Sequence, residues 1–290
     1  MEEQYIIESH HLKKYFKEKV ALENINIKIH KGEFYGIFGK NGAGKSTLFK
    51  IILGLISSSE GVLKINDHLS IGYMPENIAL YDHLSVHDNI QVTALSAGYD
   101  VSEEKMKDIL EKVNLPSRTP AKNLSLGMKR RLQLAMATMC KPVDLLILDE
   151  PTNGMDVNSV LWLKDFLLQM KKKGITILVC SHSLNVLEQL IDHYYILVDG
   201  HIVKDEDWHN ELHNQYILTI NDDMNEKDIS LIKNHFSIVK QEDDKLIIHS
   251  DKKLLDISRF IIENHLPVED IDKEHESLED IFLESVVEHD

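Results

Sequence analysis

The fold is decided by one stretch, Glu33-Phe34-Tyr35-Gly36-Ile37-Phe38-Gly39-Lys40-Asn41-Gly42-Ala43-Gly44-Lys45-Ser46-Thr47. Its apolar first part, Glu33 to Phe38, predicts a buried strand. The part from Gly39 to Ser46 matches the pattern GxxxxGK[ST] of a phosphate-binding loop. Apolar residues then recur at helical spacing from Leu48 to Leu55. A strand, a glycine-rich turn and a helix in this order predict an α/β P-loop NTPase fold with a largely parallel sheet.

The chemistry of phosphate binding explains the composition of this loop. Glycines let the backbone wrap closely around phosphates, with successive N–H groups pointing inward, and the helix N-terminus adds partial positive charge. Lys45 can reach the β- and γ-phosphates, and the Ser46 hydroxyl can ligate Mg²⁺. The sequence therefore predicts ATP or GTP as ligand, with Mg²⁺ as cofactor. The predicted nucleotide contacts in this segment are Gly39, Lys40, Asn41, Gly42, Ala43, Gly44, Lys45, Ser46 and Thr47.

A second apolar strand, Leu145 to Leu148, ends in two carboxylates. The first, Asp149, would face the phosphate loop from the edge of the sheet and hold Mg²⁺ through water. The second, Glu150, would orient and deprotonate an attacking water. The pair predicts hydrolysis of the bound nucleotide, with Glu150 and Lys45 as catalytic residues.

The segment Asn123-Leu124-Ser125-Leu126-Gly127-Met128-Lys129-Arg130-Arg131 precedes that strand. It resembles the signature motif of ABC transporter ATPases, usually Leu-Ser-Gly-Gly-Gln, and departs from it at Leu126 and Met128. This variant is similar to that of the ATPase subunits of two-component exporters for bacitracin-like and lantibiotic peptides. The resemblance implies that Ser125 caps the following helix and that the segment contacts a γ-phosphate through Ser125, Leu126, Gly127 and Met128.

Other positions match the same family in order. Tyr15 matches the aromatic residue that stacks on adenine, and Pro151 to Asp156 match the D-loop, which crosses the dimer interface. His182 matches the catalytic switch histidine that senses the γ-phosphate. The family usually has a glutamine after Gly-Tyr-x-Pro, where this chain has Glu76. Glu76 also resembles the bacitracin and lantibiotic branch and can ligate Mg²⁺ directly or through water.

The resemblance implies an ABC ATPase cassette over residues 1–205, with a RecA-like core, an antiparallel β subdomain and a helical subdomain at about residues 84–141. A change in charge marks its end. The whole chain has 48 acidic and 32 basic residues, and the part from Glu206 to Asp290 alone has 23 acidic and 8 basic. Strand-like and helical patterns in this last part predict a small acidic α+β domain over residues 206–290.

The same features bound the location and partners of the protein. No apolar run reaches the roughly 18–20 residues that span a bilayer, and the acidic N-terminus does not resemble a signal peptide. The acidic excess disfavours nucleic acid as a partner. We expect a cytoplasmic protein that reaches the inner face of the cell membrane only through a polytopic permease, docked on about residues 76–98. The family architecture implies an ATP-bridged, head-to-tail homodimer, or pairing with a paralogous ATPase.

Three classes of function compete. Non-transport ABC ATPases acting on ribosomes usually carry two cassettes in one chain, and those acting on DNA split theirs with coiled coil, whereas this chain has one unsplit cassette. An importer ATPase is disfavoured because Ser277 to Glu284 resemble the C-terminus of ABC-2-type exporter ATPases. We therefore expect an exporter of peptides, of the phenol-soluble modulin or antimicrobial type, with a drug or lipid exporter as the alternative. The cargo is not readable from this chain, because substrate choice lies largely in the membrane subunit.

Overall fold

A computed structural model describes residues 5–181, 187–208, 215–221, 223–242, 244–250, 252, 254–273 and 277–287. The chain forms two compact units: a core unit, Met1–Asp205 with Ile281–Asp290, and a C-terminal unit, Glu206–Asp280. The predicted C-terminal domain covers residues 206–290, whereas the described residues 281–287 group with the core unit. Ile281 and Val286 in this segment are buried, and burial of apolar side chains, rather than charge, determines where a segment packs.

The core unit contains ten strands and five helices within its described residues, followed by most of the last helix. The strands are β1 (Tyr5–Phe16), β2 (Lys19–Ile25), β3 (Lys28–His30), β4 (Phe34–Phe38), β5 (Glu60–Ile65), β6 (Ile71–Met74), β7 (Leu145–Asp149), β8 (Thr176–Ser181), β9 (His193–Val198) and β10 (His201–Asp207). The helices are α1 (Lys45–Ile52), α2 (Val86–Ser96), α3 (Glu103–Val113), α4 (Leu126–Thr138) and α5 (Val157–Lys172).

The central sheet has the strand order β10-β9-β4-β8-β7-β6. β4 pairs in parallel with β8 and β9, and β7 pairs in parallel with β6 and β8. Every residue of β4, β7 and β8 is buried. Strands covered on both faces read as continuous apolar runs, which explains these sequences. Because the strands are parallel, the loops after β4 and β7 emerge at one edge of the sheet.

An antiparallel sheet is built around β1, with the order β2-β1-β3 and β5 also paired with β1. The pairing of β1 with β2 is irregular, since the register shifts between Leu12 and Lys14 and again between Lys14 and Tyr15. Such shifts change which side chains face each side of a strand. They determine which aromatic residue of β1 reaches the functional site.

Helices α2, α3 and α4 form the helical region around a separate core that includes Val86, Ile90, Ile109 and Leu132. Serine begins each of them: the side chains of Ser85, Ser102 and Ser125 accept hydrogen bonds from the backbone N–H groups of Asp88, Lys105 and Met128. Serine is a preferred N-cap because its oxygen accepts a bond from an otherwise unpaired N–H group. The cap at Ser125, which the family resemblance implies, is present.

The C-terminal unit consists of β11 (Gln215–Ile220), α6 (Glu226–His235), β12 (Ser237–Glu242), β13 (Lys245–His249), α7 (Leu254–Glu263) and β14 (Val268–Lys273). The helix α8 (Leu278–Val287) begins at its end. The antiparallel sheet has the order β12-β13-β11-β14. A βαββαβ chain with this order is a ferredoxin-like fold. No helix in the described parts of the chain is both long and apolar enough to cross a bilayer.

Candidate nucleotide-binding site

A cavity of about 390 Å³ lies in the core unit where β4 and β7 end. Ten of the predicted site residues line it: Lys40, Asn41, Gly42, Gly44, Lys45, Ser46, Thr47, Glu76, Asp149 and Glu150. The remaining lining residues are Phe16, Lys19, Ala21 and Asn153. The strand order therefore brings the predicted phosphate loop and the predicted acidic pair into one site.

The phosphate loop is shaped by residues with unusual backbone angles. Gly42 and Gly44 have φ values of +89° and +112°, which residues with a Cβ adopt only with strain. A Cβ on Gly44 would also lie 2.7 Å from the Ala21 carbonyl oxygen. Gly39 and Ala43 do not line the cavity. They pack the loop against the fold, because a Cβ on Gly39 would lie 2.5 Å from the Leu197 carbonyl oxygen.

The loop ends at an uncapped helix. Gly44 is the N-cap residue of α1 and offers no side chain to the N–H groups of the first turn. Those groups have no partner within the helix and point along its axis. A phosphate at this position would accept their hydrogen bonds and gain from the helix dipole.

Lys45 places a buried positive charge inside the loop. The residue is 6% exposed. Its Nζ donates to the Gly39 carbonyl oxygen at 2.5 Å and to the Lys40 carbonyl oxygen at 3.3 Å, and lies 3.8 Å from Glu150 Oε1. A buried ammonium group needs such partners to offset its desolvation. Phosphate oxygens are stronger acceptors than carbonyl oxygens, so this ammonium group is suited to bind them.

Two residues of β8 hold the carboxylates of the acidic pair. The Cys180 thiol donates to Asp149 Oδ1 at 2.8 Å, and the Ser181 hydroxyl donates to Glu150 Oε2 at 3.3 Å. Burial and the adjacent Asp149 carboxylate raise the pKa of the Cys180 thiol well above its usual range, so it remains a protonated donor. Glu150 has a φ of +48°, a strained backbone conformation that aims its side chain into the site. Neither Cys180 nor Ser181 belongs to a motif that predicts this role from the sequence.

Three predicted metal ligands line one cavity. Ser46 offers a hydroxyl oxygen, and Glu76 and Asp149 offer carboxylate oxygens. Mg²⁺ prefers hard oxygen ligands, commonly one or two carboxylates completed by waters and phosphate oxygens. This donor set fits Mg²⁺. Burial and the Asp149 carboxylate raise the pKa of the nearby Tyr73 to about 12, so its phenol stays neutral beside these acids.

The aromatic wall of the cavity is Phe16, not Tyr15. Adjacent residues of a strand face opposite sides, and the register shift at Lys14 and Tyr15 precedes the exposed end of β1. Phe16 is 48% exposed. The backbone N–H of Tyr15 donates to the Ser59 hydroxyl at 3.0 Å. The structure thus offers Phe16 as the stacking surface next to the phosphate loop, one residue beyond the predicted position.

The predicted signature residues lie away from the cavity of their own chain. Ser125, Leu126, Gly127 and Met128 form the first turn of α4 and its cap, and none lines the cavity. Ser125 and Leu126 are exposed. His182, the predicted switch residue, lies outside the described residues. The phosphate loop and the acidic pair therefore line one cavity, and the start of α4 lies outside it.

Comparison with known proteins gives the family. A family model described as ABC transporter matches residues 22–153. An uncharacterised ABC transporter ATP-binding protein of Bacillus subtilis is 32% identical over 304 aligned residues, covering 97% of each chain. This chain belongs to the ABC transporter ATP-binding proteins. It is an ATP-binding ATPase, and the predicted family and enzyme class are confirmed.

Two relatives carry names that specify transport. The lantibiotic transport ATP-binding protein of Streptococcus pyogenes is 38% identical, over 71% of this chain and 95% of the relative. The bacitracin transport ATP-binding protein of Enterococcus faecalis is 31% identical, over 96% of each chain. This ABC ATPase is therefore similar to the exporter branch that its signature segment resembles.

Solved structures confirm the fold. An ATP-binding subunit of an ABC transporter has a TM-score of 0.64 and 27% identity, over 71% of this chain and 91% of that one. A dimeric bacterial ABC transporter cassette has a TM-score of 0.63 and 25% identity, over 70% and 98%. The predicted ABC ATPase cassette is thus the fold of the core unit.

Proposed function

We propose that this protein is the ATPase subunit of a two-component ABC exporter, in which two copies close on ATP and drive a separate polytopic membrane subunit. The observation that carries the proposal is the division of its site residues. The cavity contains the phosphate loop and both carboxylates, whereas the Ser125–Met128 turn, of which Ser125 and Leu126 are exposed, is absent from it. Such a chain supplies two different halves of an ATP site and needs a second copy to complete either.

ATP binding would use the cavity from end to end. Phe16 offers its ring to adenine, since aromatic faces stack on bases. The Gly39–Thr47 loop surrounds the phosphates with N–H groups. The Lys45 ammonium group then donates to phosphate oxygens in place of the Gly39 and Lys40 carbonyl oxygens. Lys19, also on the cavity wall, adds positive charge near the triphosphate. These residues would bind ATP before any second copy arrives.

Hydrolysis would require a polarised γ-phosphate and a deprotonated water. Mg²⁺, ligated by Ser46, Glu76 and Asp149, would neutralise charge on the β- and γ-phosphates. Glu150 then orients the attacking water and accepts its proton. The Ser181 hydroxyl fixes one oxygen of Glu150 and leaves the other, 3.8 Å from Lys45 Nζ, on the cavity side. His182 keeps its proposed role as γ-phosphate sensor.

The second copy would complete the site through α4. In a head-to-tail pair, the N-terminal turn of α4 in one chain faces the phosphate loop of the other, a twofold arrangement that forms two equal sites. The Met128 N–H is already capped by Ser125, and the remaining first-turn N–H groups, which have no partner within the helix, would bind the γ-phosphate. ATP would join the two chains, and hydrolysis would release them.

The membrane partner would dock on the helical region. In the predicted docking segment, about residues 76–98, Tyr81 and Leu95 are 55% and 57% exposed although they are large and apolar. Tyr99, directly after it, lines a cavity of about 740 Å³ between the helical region and α5. Exposed apolar residues beside a cavity are typical of protein contact surfaces. The cargo proposed from the exporter relatives is a peptide.

Size-exclusion chromatography of Glu150→Gln protein with ATP and Mg²⁺ tests this proposal. Glu150→Gln removes the base but keeps the size of the side chain, so ATP should persist and the dimer should accumulate. Ser125→Asp added to Glu150→Gln is a matched control, because aspartate is an equally good N-cap but places a negative charge against the γ-phosphate. We expect a dimer for the first protein and a monomer for the second. A monomer for both, with ATP bound, would contradict the head-to-tail proposal.

A further inference from the structure

Arg130 of α4 is a charged side chain in an unusual position. It is only 4% exposed, and arginine is rarely buried without a paired charge. Its Nη1 donates to the Pro75 carbonyl oxygen at 3.1 Å and, at 3.4 Å, to Gln133 Oε1. Its Nε has no hydrogen-bond partner within the described part of the chain. A buried guanidinium whose hydrogen-bond partners are neutral needs a nearby negative charge to offset the cost of its desolvation.

Glu76 is one of two carboxylates that act on this charge. Burial lowers the pKa of the Arg130 guanidinium, and the negative charges of Glu76 and Asp149 oppose that shift. Both acids line the ATP cavity, where Glu150 adds a third carboxylate and Lys45 an ammonium group. Three carboxylates are therefore gathered in the cavity that must receive a triphosphate, with Lys19, Lys40 and Lys45 as the lysines of its wall.

The backbone on both sides of Glu76 is held by the same helix. Arg130 donates to the carbonyl oxygen of Pro75, and Gln133 Nε2 donates to the carbonyl oxygen of Asn77 at 3.3 Å. Arg130 and Gln133 lie three residues apart and so share one face of α4. These two bonds attach the segment that contains Glu76 to α4. The first turn of α4 is the signature motif.

We propose that Arg130 is a positioning residue for Glu76: together with Gln133 it holds the backbone on both sides of Glu76, and its positive charge favours the Glu76 carboxylate at the metal end of the ATP cavity. The inference rests on the Mg²⁺ role of Glu76 in the proposed function. It has a consequence for the dimer. Because α4 is bonded to the Glu76 segment and also begins with the signature turn, a movement of α4 would link the metal end of one site to the γ-phosphate end of the other.

Arg131 is the matched control within the same helix. Its guanidinium lies over the Trp162 ring, 4.9 Å from the centroid, and its Nε also has no partner among the described residues. It therefore shares the residue type, the helix and the unused donor with Arg130, but its described contact is with Trp162 and not with the Glu76 segment. A substitution here reports the general cost of removing an arginine from α4.

The test is a double-substitution cycle of Arg130→Gln, Glu76→Gln and the two combined, with Arg131→Gln as control. The melting temperature without nucleotide is the first readout. Glu76→Gln leaves the buried Arg130 charge with one opposing carboxylate fewer, and Arg130→Gln leaves the exposed Glu76 beside the other acids of the cavity without this cation. Each change should lower Tm by about 2–4 °C, the shift that corresponds to roughly 1 kcal/mol. The combined variant replaces the charged pair with two neutral amides and should melt above Arg130→Gln alone. Arg131→Gln combined with Glu76→Gln should show no such recovery.

The second readout is the Mg²⁺ dependence of ATP hydrolysis. Arg130→Gln should raise the Mg²⁺ concentration for half-maximal rate by about 10-fold to 100-fold, as losing a partner of a metal ligand does. If Arg130→Gln is too unstable to assay, Arg130→Lys keeps the charge and should retain the Mg²⁺ dependence. Additive Tm changes in the combined variant would overturn the pairing. Tm recovery without any Mg²⁺ effect would keep the charge pair and refute the metal role of Glu76.

Discussion

Gly154→Ala offers a quantitative test of the contact between the D-loop and the signature segment. Gly154 has a φ of +71°, and a Cβ at this position would lie 2.5 Å from Leu126 Cδ2. The usual signature motif has glycine at the position of Leu126, so the contact is specific to this variant. Leu126 must therefore move if alanine occupies position 154.

The magnitude follows from two terms. An alanine at positive φ costs about 1–2 kcal/mol in backbone strain. Displacing the Leu126 side chain from its rotamer adds about 0.5–1.5 kcal/mol, because its end is flexible and half-exposed. The expected loss of unfolding free energy is therefore about 1.5–3.5 kcal/mol. Gly98→Ala is the control for strain alone, since Gly98 has a φ of +81° and no atom within 4 Å of its Cβ position.

Urea denaturation followed by tryptophan fluorescence measures both terms. Gly154→Ala should lower the unfolding free energy by more than Gly98→Ala does. This additional loss should disappear when Gly154→Ala is combined with Leu126→Ala. The reduction in unfolded-state entropy is the same for both glycines and cancels. ATP hydrolysis should fall in Gly154→Ala and not in Gly98→Ala, because only the former displaces the signature segment. Equal costs for the two alanines, or an excess that persists beside Leu126→Ala, would refute this account of the contact.

Three further predictions concern the ATP cavity. Phe16→Ala should raise the KM for ATP by about 5-fold to 150-fold, equivalent to the roughly 1–3 kcal/mol of one stacked base, and Tyr15→Ala should have less effect; steady-state kinetics of both variants decides between the two aromatic residues. Cys180→Val should lower the rate or the Mg²⁺ affinity by about 10-fold to 100-fold, whereas Cys180→Ser keeps a donor to Asp149 and should be milder; Mg²⁺ titrations of hydrolysis measure this. Lys45→Ala should abolish ATP binding in equilibrium dialysis while the protein remains folded by circular dichroism, and retained affinity would argue against the phosphate role of Lys45.

The local motifs were predictable because each is formed by residues that lie close together in the sequence. The Gly39–Ser46 loop is defined by glycine spacing, and Leu145–Asp149 by a continuous apolar run that only a strand buried on both faces requires. The serine caps before α2 and α4 are equally local. Such features depend on backbone chemistry that neighbouring residues determine.

What escaped prediction depends on contacts between distant segments. Phe16 lines the cavity at the end of β1, beyond two shifts in the β1–β2 register that no local pattern indicates. Cys180 and Ser181 act on the acidic pair because β8 lies beside β7 with Cys180 opposite Asp149. The strand β14 could not be predicted from the sequence because four of its six residues are charged. Its apolar and polar residues therefore show no clear alternation.

The central claim is that this ABC ATPase drives a separate membrane protein. Tagged Glu150→Gln protein, recovered from detergent-solubilised membranes with ATP and Mg²⁺ and analysed by mass spectrometry, tests it most directly. We predict a polytopic membrane protein in about equal amount, and its loss when Leu95→Glu is added, because Leu95 lies on the proposed docking surface. Recovery of ribosomes, of nucleic acid or of no partner would contradict the claim and favour a non-transport ABC ATPase.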